Sequence, residues 1–514
     1  MFQRTCATGL ALCLTFAIAA PVPAAHAAPA LFGALAPGSH GVGFTIVQMS
    51  DPVRPNGTAA GDAADRSRKM AVHVWYPASP ATGGAHLTFA DYMHAHLPDA
   101  DADDITRRDG QVRAFLTQFG AISDGAWSAL KGTRLLARRD APAAQGRFPL
   151  VIGALRPLST TLTNEYLASH GYVVAMVDGE DGQEPTEAGP GLEIAVRDME
   201  FAIAQLRRLP YVHDRALAAL GFSGAGFSQI LLAMRHPDVM AVCDLESAIF
   251  DDRMMWPLSR GWGYSLEALR VPFLHVYGVP LSTRENRIAD FEGMRYATRY
   301  RYLVDTPGLH HWDFATEGMA ASTVLGLRGD AAPRLRQAFE ATNRYVLAFF
   351  DAYVKRDPQG LTFLRNDPAV NGVPAGLVSV RELPAIEPAP GVDALMTLVG
   401  ARGIESAMQV FEEARARDPQ APLFREASLN MLGYRLLRNE KPLEATTVLR
   451  KVIELYPDSV NAYDSLGEAL EEAGDRAQAI EVTRKGLEVA RRPGAQAGPV
   501  QLLEERLKRL TSAS

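Results

Sequence analysis

The chain has 514 residues, more than one hydrophobic core ordinarily organises, so two or more domains are expected. Its 47% hydrophobic and 22% charged residues are those of a globular protein rather than a disordered or fibrous one. A net charge of −7, with no long basic run, excludes a nucleic-acid surface built on charge.

The first 27 residues read as an export signal. Arg4 supplies a positive start, residues 8–20 form a short apolar stretch, and Ala25-His26-Ala27 gives a small-residue cleavage pattern. Cys13 lies in a poor context for lipid attachment, because Leu12 precedes it. The expected destination is the periplasm or the exterior. No later segment approaches the roughly 18 consecutive apolar residues of a membrane span. Cys6 and Cys13 depart with the signal, leaving Cys243 without an intramolecular disulfide partner and, between apolar neighbours, in a buried strand.

Short β-rich runs then alternate with helical ones. Residues 44–49 and 70–76 read as an opening antiparallel pair. The runs 149–154, 172–178, 217–222, 240–245 and 272–278 read as buried strands, and 192–208 has a helical period. This order predicts an α/β fold with a doubly wound, mostly parallel sheet and helices on both faces, whose site forms at the carboxyl ends of the strands. Residues 85–140 and 249–269 interrupt the pattern and are expected to cover that site. The domain is expected to span 40–380.

A Pro-rich stretch at 381–391 reads as a linker, followed by an all-helical domain over 392–514. Leu432-Gly433 recurs as Leu466-Gly467, and Ala445 as Ala479, each 34 residues later; Pro457 closes the first unit. This period and these small residues resemble the tetratricopeptide repeat, which implies a protein partner for this domain. Residues 407–419 repeat the interval of 445–457 and predict a further, degenerate hairpin.

The chemistry-bearing constellation starts at Gly221-Phe222-Ser223-Gly224-Ala225-Gly226, placed between a buried strand and a helical run. That is the setting of a nucleophile elbow, with Ser223 on a sharp turn flanked by small residues and the Gly224 N–H facing a developing oxyanion. A serine hydroxyl needs a base, and the base an orienting carboxylate. His310 and His311 follow the strand near 302–304, and both qualify as the base. Asp244, Glu246, Asp251 and Asp252 follow the elbow helix. No aspartate closely follows 272–278, which moves the acid to the end of the strand at 240–245.

Gly41-Val42-Gly43-Phe44, Val74-Trp75-Tyr76-Pro77, Ser169-His170-Gly171-Tyr172-Val173-Val174 and the elbow together resemble the platelet-activating factor acetylhydrolases and their dienelactone-hydrolase-like relatives. The resemblance covers residues 40 to about 320. It implies an α/β-hydrolase fold and ester hydrolysis through an acyl-enzyme, without metal or organic cofactor, on a small-molecule or lipid ester. It also implies Glu246 as the acid, with Asp244 as runner-up, and His311 as the base. The family's oxyanion-hole His-Gly is replaced here by Gly153-Ala154-Leu155-Arg156, where the main-chain N–H of Leu155 takes the role. A serine peptidase or amidase using the same residues, and an inert hydrolase domain serving as an interaction protein, are the alternatives. His94 with His96, and the alternating Asp99, Asp101 and Asp103, lack the further ligands that a metal site needs.

Overall fold

The computed structural model describes residues 29–55, 67–79, 84–95, 101–154, 157–179, 190–247, 268–278, 297–419, 421–492 and 499–512. The export-signal residues, Leu155, Arg156, His96, Asp99, Asp251, Asp252 and most of the second expected cover, at 249–267, lie outside them.

The described strands form one mixed sheet with the order β11-β10-β9-β8-β7-β5-β6-β2-β1-β4-β3. It opens with the long antiparallel pair β1 (Gly41–Pro55) and β2 (Ser67–Ala78). Gly43 faces Tyr76 in this pair, and a Cβ there would stand 2.3 Å from the tyrosine ring, so only glycine admits the ring. The stretch expected to be a cover contributes to the sheet as well. It holds β3 (His86–Thr88), helices α1 (Phe89–Met93), α2 (Ala102–Leu116) and α3 (Asp124–Lys131), and β4 (Arg134–Arg139), which joins β1 in parallel. Asp101 is spent on the N-cap of α2, where its side chain accepts from the N–H groups of Asp103 and Asp104.

The central strands are β5 (Phe148–Gly153), β6 (Val173–Gly179), β7 (Val212–Phe222), β8 (Val239–Leu245), β9 (Phe273–Gly278) and β10 (Arg299–Val304). From β6 to β10 they are mutually parallel in the sheet. Their near-continuous apolar runs follow from burial on both faces. In β7, Leu217 and Ala219 join one core, while Ala218, Leu220 and Phe222 join the core on the other face. Helices α4 (Pro157–Ser169), α5 (Pro190–Leu206) and α6 (Gly226–Arg235) connect the strands. Cys243 is fully buried in β8, and burial pushes its thiol pKa up, in keeping with a packing role.

Two domain edges differ from the sequence expectation. Leu31, Phe32 and Leu35 are buried in the main core, so the unit begins before residue 40. At the other end β11 (Val378–Leu383) pairs antiparallel with β10, so residues 381–383 belong to the sheet rather than to a linker. Beyond 391 the described residues form helices joined by short turns. Helix 392–417 bends at Gly403, and Glu426–Arg438 with Pro442–Leu455, then Val460–Glu472 with Arg476–Ala490, form successive hairpins before a last helix, Val500–Ser512. Gly433 and Gly467 stand where the facing helix comes closest: a Cβ at Gly433 would lie 2.6 Å from the Leu449 side chain. No helix among the described residues is long and apolar enough to cross a membrane.

Candidate active site

Strand β7 ends at Phe222, passes through a 3-10 turn at Ser223–Ala225 and enters α6. Ser223 has φ of 56°, in the left-handed region, a conformation costing a non-glycine residue about 1–3 kcal/mol. Two glycines make the turn possible. A Cβ on Gly221 would stand 2.7 Å from the Cα of Gly226, and a Cβ on Gly226 would stand 2.2 Å from Asp244 Oδ1. Strand and helix therefore approach closely enough to lift Ser223 above the sheet edge. Gly224 is buried in the same turn, where helix-initiating N–H groups lack intrahelical partners.

The histidine pair sits after β10. His311 opens a 3-10 turn over His311–Phe314, and its Nε2 lies 2.9 Å from Ser223 Oγ. The Phe222 ring stacks on the imidazole with centroids 5.0 Å apart. Trp312 packs on Phe222 at 5.5 Å and meets Phe115 of α2 edge-on at 4.7 Å, so part of the expected cover does reach the histidine turn. His310 has another job. Its N–H donates to Asp313 Oδ2 at 2.7 Å and its Nδ1 accepts from Trp312, which makes it the cap of that turn. Arg328 donates to the same Asp313 oxygen at 2.7 Å. Burial nonetheless pushes the Asp313 carboxyl up to about 6, against the opposing effects of His310 and Arg328.

The two candidate acids occupy different settings. Asp244 is buried in β8 beside His275 of β9; His275 Nδ1 and Ser247 Oγ both lie 2.6 Å from Asp244 Oδ2. Among the described residues its Oδ1 has no hydrogen-bond partner, and it lies against Gly226. Glu246 stands just past the end of β8. It is 4% exposed, has φ of 50°, and its Oε2 accepts from the Gly278 N–H at 2.6 Å. Its own N–H donates to Val276 O at 2.7 Å, which ties the turn to β9. Leu155 follows β5, the hydrogen-bonded neighbour of β7, and lies outside the described residues. Ser223, Glu246 and His311 thus follow the carboxyl ends of β7, β8 and β10 along one edge.

Sequence reading missed the buried pairing of Asp244 with His275 and Ser247. A signal was present: His275 and Asp244 each interrupt an apolar run, and two polar interruptions in neighbouring buried strands call for each other. His94 pairs with Asp109 at 2.8 Å. Among the described residues no group of three or more His, Cys, Asp or Glu side chains stands together as a metal site.

No family model and no curated protein matches the chain. Among solved structures it is similar to a ferulic acid esterase from Streptomyces cinnamoneus, at 19% identity and a TM-score of 0.46, over 66% of this chain and 96% of that one.

Proposed function

We propose that the chain is an exported serine hydrolase that cleaves a carboxylic ester through an acyl-enzyme. Ser223 is the nucleophile, His311 the base and Glu246 the orienting acid. The single observation carrying this reading is the 2.9 Å approach of His311 Nε2 to Ser223 Oγ, with the serine lifted on a left-handed strand-to-helix turn. The imidazole takes the hydroxyl proton as Oγ attacks the ester carbonyl. The Gly224 N–H, with that of Leu155, holds the tetrahedral oxyanion, and Glu246 stabilises the imidazolium. The proton then passes to the leaving alkoxide. Water repeats the sequence on the acyl-enzyme, with no step through a metal or an organic cofactor.

An α/β-hydrolase fold of the platelet-activating factor acetylhydrolase and dienelactone-hydrolase-like type accommodates these roles. The helical hairpins, with their 34-residue recurrence of Leu-Gly, fit tetratricopeptide repeats that carry a protein partner. The test is labelling by a fluorophosphonate, with Ser223→Ala as control and a panel of activated esters and matching amides as substrates. Labelling and ester turnover that vanish in Ser223→Ala support the reading. Labelling that persists removes the serine assignment, and turnover of amides in preference to esters makes the chain an amidase.

A further inference from the structure

We propose that Asp244, with His275 and Ser247, is a positioning device that fixes the Glu246 turn to the floor of the nucleophile elbow; this rests on the triad proposed above. Three side chains from two strands and a loop converge on one point. Asp244 Oδ2 receives the His275 ring nitrogen from β9 and the Ser247 hydroxyl from beyond β8, each at 2.6 Å. All three are buried, at 1%, 2% and 1% exposure.

Sequence position gives the cluster its purpose. Glu246 lies between Asp244 and Ser247, so the Ser247-to-Asp244 bond spans the left-handed turn and closes it from below. The bond holds that strained backbone where an isolated chain would relax it. The same carboxylate lies under the elbow, because its Oδ1 and the Ser247 Cβ occupy the space that a Gly226 side chain would fill, at 2.2 and 2.7 Å. Gly226 is three residues from Ser223. Acid turn and nucleophile turn therefore rest on one shared, hydrogen-bonded carboxylate. In this role Asp244 acts through Glu246.

The decisive variant is Ser247→Ala, which removes one oxygen and leaves the Asp244–His275 pair in place. Losing one hydrogen bond to a charged group predicts a fall in kcat of about tenfold to a hundredfold. KM should stay nearly constant, because the interaction serves the transition state and not substrate binding. Ser247→Thr, which keeps the hydroxyl, should recover most of the loss. In a Glu246→Gln background Ser247→Ala should add almost nothing, since both changes act through one residue. His275→Asn, which retains a nitrogen donor near the Nδ1 position, should fall between wild type and His275→Ala. Wild-type kcat in folded Ser247→Ala, or a full additional loss in the double variant, overturns the positioning role. If instead Ser223→Ala still turns over ester, the triad itself fails, which separates the two outcomes.

Discussion

Replacing Glu246 by glutamine tests the triad through a single atom. Glu246 Oε2 accepts from the Gly278 N–H at 2.6 Å. A glutamine at this place must keep its carbonyl oxygen there, because turning the amide would set two donors against each other. The NH2 group is thereby forced into the position that, in the proposed triad, accepts from His311 Nδ1. A donor at that point drives the imidazole to the other tautomer, with the hydrogen on Nε2. The nitrogen 2.9 Å from Ser223 Oγ then donates and no longer takes the proton. Carboxylate-to-amide replacement in a serine-protease triad costs about 10⁴ in kcat by this route, which corresponds to about 5.5 kcal/mol of transition-state stabilisation. The change is isosteric, so thermal unfolding should move little beside that loss. The assay is steady-state hydrolysis of an activated ester, with fluorophosphonate labelling on the same samples. A folded Glu246→Gln protein within tenfold of wild type would refute the reasoning, and a larger loss in Asp244→Asn would move the acid to β8 itself.

Three further outcomes are expected. His311→Ala should lose activity as severely as Ser223→Ala, since the two act as a unit, whereas His310→Ala should keep clearly more and instead lower the melting temperature through the cap it removes; equal losses would contradict the division of roles. Glu165 is fully buried, and burial pushes its carboxyl up to about 7, despite the Tyr92 hydroxyl and the Leu136 and Ala137 N–H groups that favour its ionised form. Its folded-state pKa lies above the unfolded value, so the fold binds the extra proton and stability should fall as pH rises through that interval, by at most about 1.4 kcal/mol per pH unit; urea unfolding of Glu165→Gln should show a flatter profile from pH 4.5 to 7, and an unchanged slope would refute this. Gly433→Ala should destabilise the helical hairpin by about 1–3 kcal/mol, because the added methyl would meet Leu449 at 2.6 Å; differential scanning calorimetry would read it, and an unchanged profile would mean that the helices have room to part.

The legible parts of the chain were those in which one local pattern has one physical solution. Apolar runs such as 150–152 and 217–222, short and bounded by turn residues, read as strands buried on both faces, and the central strands stand where the pattern puts them. Glycine-flanked Ser223 likewise falls at the strand-to-helix junction that the pattern predicts. Strands near the two ends of the sheet were not legible. Strand β3 has three residues, and β4 and β11 carry Arg134, Arg138, Arg139, Arg381 and Glu382 on exposed or half-buried positions, so their strand character comes from pairing with a neighbour and not from their own residues. Leu31, Phe32 and Leu35, buried in the main core, likewise make too short a run to announce a core contact. The choice between Asp244 and Glu246 was open for a different reason: in an extended strand, residues two apart share a face, and sequence alone does not say where the extension stops.

Where the extension stops is what separates the two carboxylates. Phe222 of β7 and Leu245 of β8 are register partners, and both side chains enter the same core. Gly221 and Asp244, the partners one step earlier, face the opposite side, where Asp244 lies beneath Gly226. Continued extension would send Ser223 and Glu246 to that side too, into the space that α6 and the Asp244 cluster already fill. Both residues instead take the left-handed conformation, with φ of 56° and 50°. The two adjacent strands end in the same kind of kink at neighbouring positions. Each kink takes its residue, Ser223 or Glu246, out of the strand's alternation at the carboxyl edge of the sheet. Asp244, still within the strand's alternation, lies against Gly226 beneath the elbow. In the proposed triad, Glu246, one residue beyond Leu245 on a backbone that has already turned, is the carboxylate that serves His311.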